Sequence, residues 1–187
     1  EVSKTLSKGI EFLFKKNGVF FKKGNAFIED NNNITIQAKD RKISVKTKKI
    51  IIATGAKAKK PTFLGTSSNE IWSYKEAMIP NATPKSLGIV GSGAIGIEFA
   101  CFYNELGTDV KVFEVQENIV PHEDKDISVA LEKALLKKKI TFYKNTKVVG
   151  LNKAESFELT TNTKEKIEKH HFEKVLIAIG VEGNIEN

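Results

Sequence analysis

The hexad Gly91-Ser92-Gly93-Ala94-Ile95-Gly96 constrains the fold of this chain more than any other stretch. It follows the apolar run Leu87-Gly88-Ile89-Val90, which reads as a buried parallel strand, and it opens a helical pattern from Ile95 to Leu106. A strand, a Gly-x-Gly-x-x-Gly turn and a helix in that order form a dinucleotide fingerprint. Gly91 allows the tight turn, Gly93 lets the backbone approach a pyrophosphate, and Gly96 lets the helix pack close to the strand. The pyrophosphate would then meet the free N–H groups and positive end of the helix.

A glycine hexad alone is a weak signal, so the residues downstream decide its meaning. Gly107 stops the helix, and Thr108 to Phe113 reads as a second strand ending in the carboxylate of Glu114. Glu114 stands about 20 residues past the glycines, where a nucleotide ribose needs a hydroxyl acceptor. A strand-end surface charge is the plainer reading of one carboxylate, but strand, glycines, helix, strand and acid in register favour the ribose. The acid also favours NAD over NADP, because a carboxylate repels a 2′-phosphate. Val115, Gln116, Glu117 and Asn118 supply no cation, and the only arginine, Arg41, lies in another segment.

Composition narrows the class. Of 187 residues, 40% are hydrophobic and 28% charged, the balance of an ordinary globular sequence. No apolar run approaches the roughly 20 residues of a membrane span, and the first residues carry no signal-peptide pattern. A single cysteine, Cys101, excludes an intrachain disulfide and suits a reducing compartment, the cytoplasm or, in a eukaryote, the mitochondrial matrix. Its place inside the glycine-led helix reads as a small apolar core residue. The net charge of +7 comes almost wholly from lysine, clustered at Lys48-Lys49, at Lys57, Lys59 and Lys60, and at Lys137-Lys138-Lys139. These clusters are spread over several elements without aromatic platforms between them, so they read as solvated faces and not as a nucleic-acid surface. His122, His170 and His171 have no partners at metal-ligand spacing, and His170-His171 is expected to be exposed at a strand edge.

Along the chain, Val2, Leu6, Ile10, Leu13 and Phe14 predict an amphipathic helix over 2–16. A short strand at Val19-Phe20-Phe21 and a bend at Gly24-Asn25-Ala26 follow. Ile34 to Ala38 and Ile43 to Lys46 alternate as a half-exposed hairpin, and Ile50-Ile51-Ile52-Ala53 reads as a strand covered on both faces. That strand lacks parallel neighbours, so residues 1–61 read as the trailing part of a domain whose beginning is absent. Residues 62–84 look like the crossing into the next domain, which spans 85–181. There a second helix around Ile127 to Leu135 is expected, with Asp124 or Asp126 as its cap. A third strand at Ile140 to Tyr143 then gives βαβαβ and a parallel, Rossmann-like α/β sheet. Alternating runs at 147–151, 156–160 and 165–169 predict an antiparallel meander, and Val175 to Gly180 a final buried strand. Residues 182–187 begin a return to the first domain.

Several separated motifs also coincide with a known family. Ile51-Ile52-Ala53-Thr54-Gly55-Ala56, Ile71-Trp72-Ser73-Tyr74, and Pro84-Lys85-Ser86-Leu87 leading into Gly91–Ala100 resemble the two-dinucleotide flavoprotein disulfide reductases. Ile119-Val120-Pro121 with Asp124-Lys125-Asp126-Ile127, and Ala178-Ile179-Gly180-Val181 with Gly183-Asn184-Ile185-Glu186-Asn187, are most similar to the dihydrolipoamide dehydrogenase branch. The resemblance implies that Gly91, Ser92, Gly93, Ala94, Ile95, Gly96 and Glu114 hold NAD. Val148 would line the adenine side, Gly180 the nicotinamide half, and Glu98 would face the nicotinamide–flavin region. Ala26, Thr54, Gly55 and Ala56 would belong to an FAD site. Ala56 and Val181 depart from the serine and arginine that many relatives carry there. By the same resemblance, the parent oxidises dihydrolipoamide through a redox disulfide and FAD to reduce NAD⁺. It would do so as a homodimer within 2-oxo acid dehydrogenase complexes, reached through lipoyl groups. The redox disulfide, the FAD fingerprint and the acid/base histidine have no match here, so the chain reads as an internal piece that is itself colourless and inactive. A mercuric or thiol-disulfide reductase, and a non-catalytic NAD-binding module, are the alternatives.

Overall fold

Runs such as Ser86–Val90 and Lys174–Ile177 are largely apolar on both alternating faces, so they satisfy their side chains only inside a sheet covered on both sides. The computed structural model, which describes residues 2–39, 41–61 and 70–185, places them there. The segment 62–69 of the expected crossing, and Glu186-Asn187 of the last motif, lie outside the described residues. The chain separates into two compact units, residues 2–54 with 185, and Gly55–Asn184.

The first unit begins with α1 (Val2–Lys16), continues through β1 (Asn25–Asp30) and β2 (Asn33–Ala38), and ends with β3 (Arg41–Lys46). The three strands form an antiparallel sheet in the order β1-β2-β3. Asp30 Oδ1 accepts from the Asn32 N–H at 2.8 Å and fixes the first turn. The expected hairpin is β2 and β3, and β1 is an addition that its mixed sequence hid. Ala26 belongs to this strand and not to the bend, which is confined to Gly24. Two expectations fail. Val19-Phe20-Phe21 forms no strand, and Phe21 instead sits against Phe14 of α1 with ring centroids 5.3 Å apart. Ile50 to Ala53 is likewise no strand, with Ile51 91% exposed, because no described strand pairs with it. No described residue of this unit is buried.

The second unit runs β4 (Ala56–Ala58), α2 (Tyr74–Met78), β5 (Ser86–Val90), α3 (Ala94–Glu105), β6 (Asp109–Phe113), α4 (Lys125–Lys137), β7 (Thr141–Tyr143), β8 (Lys147–Lys153), β9 (Phe157–Thr163), β10 (Lys166–Phe172), β11 (Lys174–Ile177) and β12 (Val181–Gly183). A four-stranded sheet has the order β11-β5-β6-β7, every pair parallel. Trp72 extends it beyond β11, donating its N–H to Val175 O and accepting from the Ile177 N–H, each at 2.9 Å. Strands β8, β9 and β10 form the expected antiparallel meander. The small β12-β4 pair was not read from the sequence.

The period of two along each strand divides the core. Leu87, Ile89, Val110, Val112 and Leu176 join Ile97, Ala100, Tyr103 and Leu135 of α3 and α4 in one cluster. Val90, Phe113, Val175 and Ile177 point the other way and meet Val148, Leu151, Phe157, Leu159 and Phe172 of the meander. Asp124 stands at the N-terminal boundary of α4 as expected, but its side chain makes no cap hydrogen bond. Cys101 is half-buried against the first cluster, and burial pushes its thiol up from the ordinary value.

Candidate functional site

In an open parallel sheet the crevice for a ligand lies outside the carboxyl ends of the strands, where neighbouring connections leave in opposite directions. Here that point is between β5, which leads towards β6 and β7, and β11 on its other side. A cleft of about 690 Å³ opens there. Its walls are the turn after β5, the ends of β6 and β11, the start of β8, and a strap containing Pro121 and His122.

Each fingerprint glycine has a separate physical reason. Gly91 has φ +99°, donates its N–H to Phe113 O at 2.8 Å, and would drive a Cβ into the Ala178 carbonyl. A Cβ on Gly96 would collide with the Gly91 carbonyl oxygen, so only glycine lets α3 start this close to β5. Gly93 is different, since a Cβ there would meet nothing within 4 Å. It is also the N-cap of α3 and supplies no side-chain cap hydrogen bond. The first N–H groups of α3 thus lack a capping side chain beside an open cleft, a setting suited to an anion.

Glu114, at the end of β6, is only 6% exposed. Its Oε2 accepts from the Ser92 N–H at 2.9 Å and from Ser92 Oγ at 2.6 Å, and its Oε1 accepts from the Gln116 N–H at 2.8 Å. These hydrogen bonds compensate the burial of the carboxylate. The Ser92 carbonyl in turn accepts from the Val120 N–H at 2.9 Å. Val120 has φ +41°, a strained value for a β-branched residue, and it turns the chain so that Pro121 and His122 face the cleft.

Of the residues singled out in the sequence, Gly91, Ser92, Gly93, Ala94, Ile95, Glu114, Val148 and Gly180 line this one cleft, with Gly96 directly behind it. Glu98 does not; it is exposed, one turn further along α3. Ala26, Thr54, Gly55 and Ala56 do not line it either. Gln116, His122, Thr146 and Lys147 are lining residues that the sequence reading missed. Residues 115–118 supply no cation, as read from the sequence, but Lys147 brings one to the same cleft from the start of β8. It follows Asn145, whose φ is +52°, and Thr146, whose N–H donates to Glu114 O at 2.8 Å. The usable signal was that Val148, already selected, brings its neighbour with it.

His170 is a correction to the expected exposure. Its side chain is 11% exposed, packed against the rings of Phe113 and Tyr143 at 4.9 and 4.8 Å, with Nε2 3.2 Å from Thr161 Oγ1. Burial holds its pKa below the ordinary value. Its position on the inward face of β10 follows from the register with Leu159, whereas His171 points outward and is 62% exposed. Among the described residues no group of three or more His, Cys, Asp and Glu could hold a metal, and no helix is long and apolar enough to cross a membrane.

Comparisons with known proteins agree with this architecture. The family described as pyridine nucleotide-disulphide oxidoreductase matches residues 1–187. A dihydrolipoyl dehydrogenase of Rhizobium etli is 42% identical over 140 residues, covering 74% of this chain and 29% of the relative. A dihydrolipoyl dehydrogenase of Zymomonas mobilis is 34% identical over 191 residues, covering 100% of this chain and 41% of the relative. The chain therefore spans less than half the length of these curated relatives. Among solved structures, LpdA of Mycobacterium tuberculosis superposes with a TM-score of 0.86 at 23% identity, over 98% of this chain and 41% of that one, which shows a shared fold. With the matched family pattern covering its whole length, the chain belongs to the pyridine nucleotide-disulphide oxidoreductases.

Proposed function

We propose that the segment 85–181 is a Rossmann-type NAD(H)-binding domain and that the chain is the nucleotide-binding portion of a dihydrolipoyl dehydrogenase. The observation that carries this reading is the pairing of an open glycine turn at Gly93 with a buried, hydrogen-bonded carboxylate at Glu114 across one cleft. The residues fit the dinucleotide. The N–H groups opening α3 would hold the pyrophosphate. A carboxylate has about four acceptor sites and three are filled here, which leaves one on Glu114 Oε1 for a ribose hydroxyl. Val148 would pack on the adenine side, and the Gly180 backbone, with φ +107°, would border the nicotinamide half. Bound NAD⁺ supplies a hydride acceptor. This chain's residues bind and orient it.

The same reading extends to the parent enzyme, a flavoprotein that oxidises dihydrolipoamide through a redox disulfide and FAD. It would be a homodimer serving 2-oxo acid dehydrogenase complexes in the cytoplasm or mitochondrial matrix. Ala26, Thr54, Gly55 and Ala56 would contribute to its flavin site, but none of them lines the cleft, and FAD enters no step assigned to this chain. Disulfide exchange needs two thiols, and Cys101 is the only one, so the chain alone turns over no dihydrolipoamide. Calorimetry tests the central assignment. NADH should bind at least tenfold more tightly than NADPH, about 1.4 kcal/mol, and Glu114→Ala should narrow the gap. Tighter NADPH binding by the unaltered chain overturns the reading.

A further inference from the structure

Ser92 stands in the middle of the fingerprint turn, in the wall of the cleft, and is 0% exposed. Its hydroxyl, its N–H and its carbonyl are each committed to another segment of the site. The first two go to Glu114 Oε2 at 2.6 and 2.9 Å, and the third takes the Val120 N–H at 2.9 Å. Among the described residues no ion pair reaches Glu114, so hydrogen-bond donors alone orient its charge. Ser92 provides two of the three.

We infer that Ser92 is a positioning residue for nucleotide selectivity. Its hydroxyl fixes the Glu114 carboxylate so that the open acceptor site of Oε1 meets the ribose while the full negative charge faces any 2′-phosphate. The inference rests on the reading of the cleft as an NAD(H) site and deepens it. A hydroxyl donor to a carboxylate is short and strong, and it acts on one oxygen only, which restricts rotation of the group about its last bond. Without it, Oε2 keeps the backbone N–H but loses the closer partner. The carboxylate then swings between orientations that do and do not present Oε1 to the ribose. The loss should fall on the ligand that hydrogen-bonds this carboxylate, NADH, and hardly on NADPH, whose phosphate is repelled in either orientation.

The experiment is calorimetry of NADH and NADPH on the chain and on Ser92→Ala, Ser92→Cys, Glu114→Ala and the Ser92→Ala/Glu114→Ala pair, with thermal melts to verify folding. Ser92→Ala should weaken NADH binding about tenfold and NADPH less than twofold. Ser92→Cys, of similar size with a weaker donor, should fall between Ala and Ser. The double variant should match Glu114→Ala alone, because the hydroxyl acts only through the carboxylate. An unchanged NADH/NADPH ratio in Ser92→Ala overturns the inference while leaving the NAD(H) assignment standing. A further loss of selectivity in the double variant beyond Glu114→Ala overturns it too. If Ser92→Ala does not fold, the ratio in Ser92→Cys decides, and a wild-type value there overturns the inference. Absence of NADH preference in the unaltered chain sinks the assignment itself, and this inference with it.

Discussion

Two glycines at opposite ends of α3 separate crowding from backbone strain. Gly96 carries no Cβ because one would meet the Gly91 carbonyl, whereas Gly107 has φ +88° with nothing within 4 Å. Gly96→Ala should therefore cost about 1–3 kcal/mol through forced displacement of the turn and should abolish measurable NADH binding. Gly107→Ala should cost about 1 kcal/mol from the unfavourable φ and leave binding intact. Chemical denaturation and calorimetry on the two variants check both halves of this contrast. Lys147 supports a second prediction. As the cation that the fold brings into the cleft of Glu114, it should attract both nucleotides, so Lys147→Ala should weaken NADPH more than NADH and widen the selectivity, read by the same titrations. The glycine hexad and Glu114 were legible because they answer each other within one strand-turn-helix-strand unit. Lys147 and His122 were not, since their approach depends on the φ +52° turn at Asn145 and the φ +41° turn at Val120, which no periodicity announces.

Among the elements, β10 shows why alternation must be read with its register. Paired with Leu159, His170 faces the parallel sheet and joins Phe113 and Tyr143; Glu168 and Lys111 are the charges nearest to it, with His171 beside it on the strand. Burial lowers its pKa below the ordinary 6.5. Above pH 6.5 the ring is neutral in both folded and unfolded chains, so this part of the stability is complete. As pH falls from 6.5 towards the folded value, the unfolded chain binds a proton that the folded chain refuses, and stability is lost. Denaturant titrations between pH 5 and 7.5 should show this loss, and His170→Phe should flatten it. An equal slope in the variant would remove His170 as its source. Tyr103 anchors α2 in a similarly local way, donating its hydroxyl to Ala77 O at 2.6 Å, and Tyr103→Phe should cost about 1 kcal/mol in a denaturant melt. Strands that pair within their own neighbourhood were readable, namely β5, β6, β7 and the meander. The run at Ile50–Ala53 was misread because hydrophobicity records an appetite for neighbours and does not show that the neighbours are present. The β12-β4 pair escaped because three residues are too short a window for any alternation.

For the whole molecule, burial is distributed unevenly. The second unit has two apolar clusters around its parallel sheet, while α1 keeps Leu6, Ile10 and Leu13 more than half exposed. Amide exchange should therefore be slow in Leu87–Val90 and Val110–Phe113 and fast throughout residues 2–46; comparable protection in the two would contradict a stability gradient between the units. The βαβαβ order and the meander were visible along the chain. The position of the last strand was not, because β11 pairs with β5 across the long intervening stretch from Gly91 to Glu173. That pairing has a consequence for synthesis. On a ribosome the three strands β5, β6 and β7 emerge in order and can align as they appear. The fourth, which places Ala178 against Gly91 and Gly180 at the rim, emerges only after the entire meander. A nascent chain must therefore hold the glycine turn without its opposite wall until residue 180 has left the exit tunnel, and the cleft is completed in one late step.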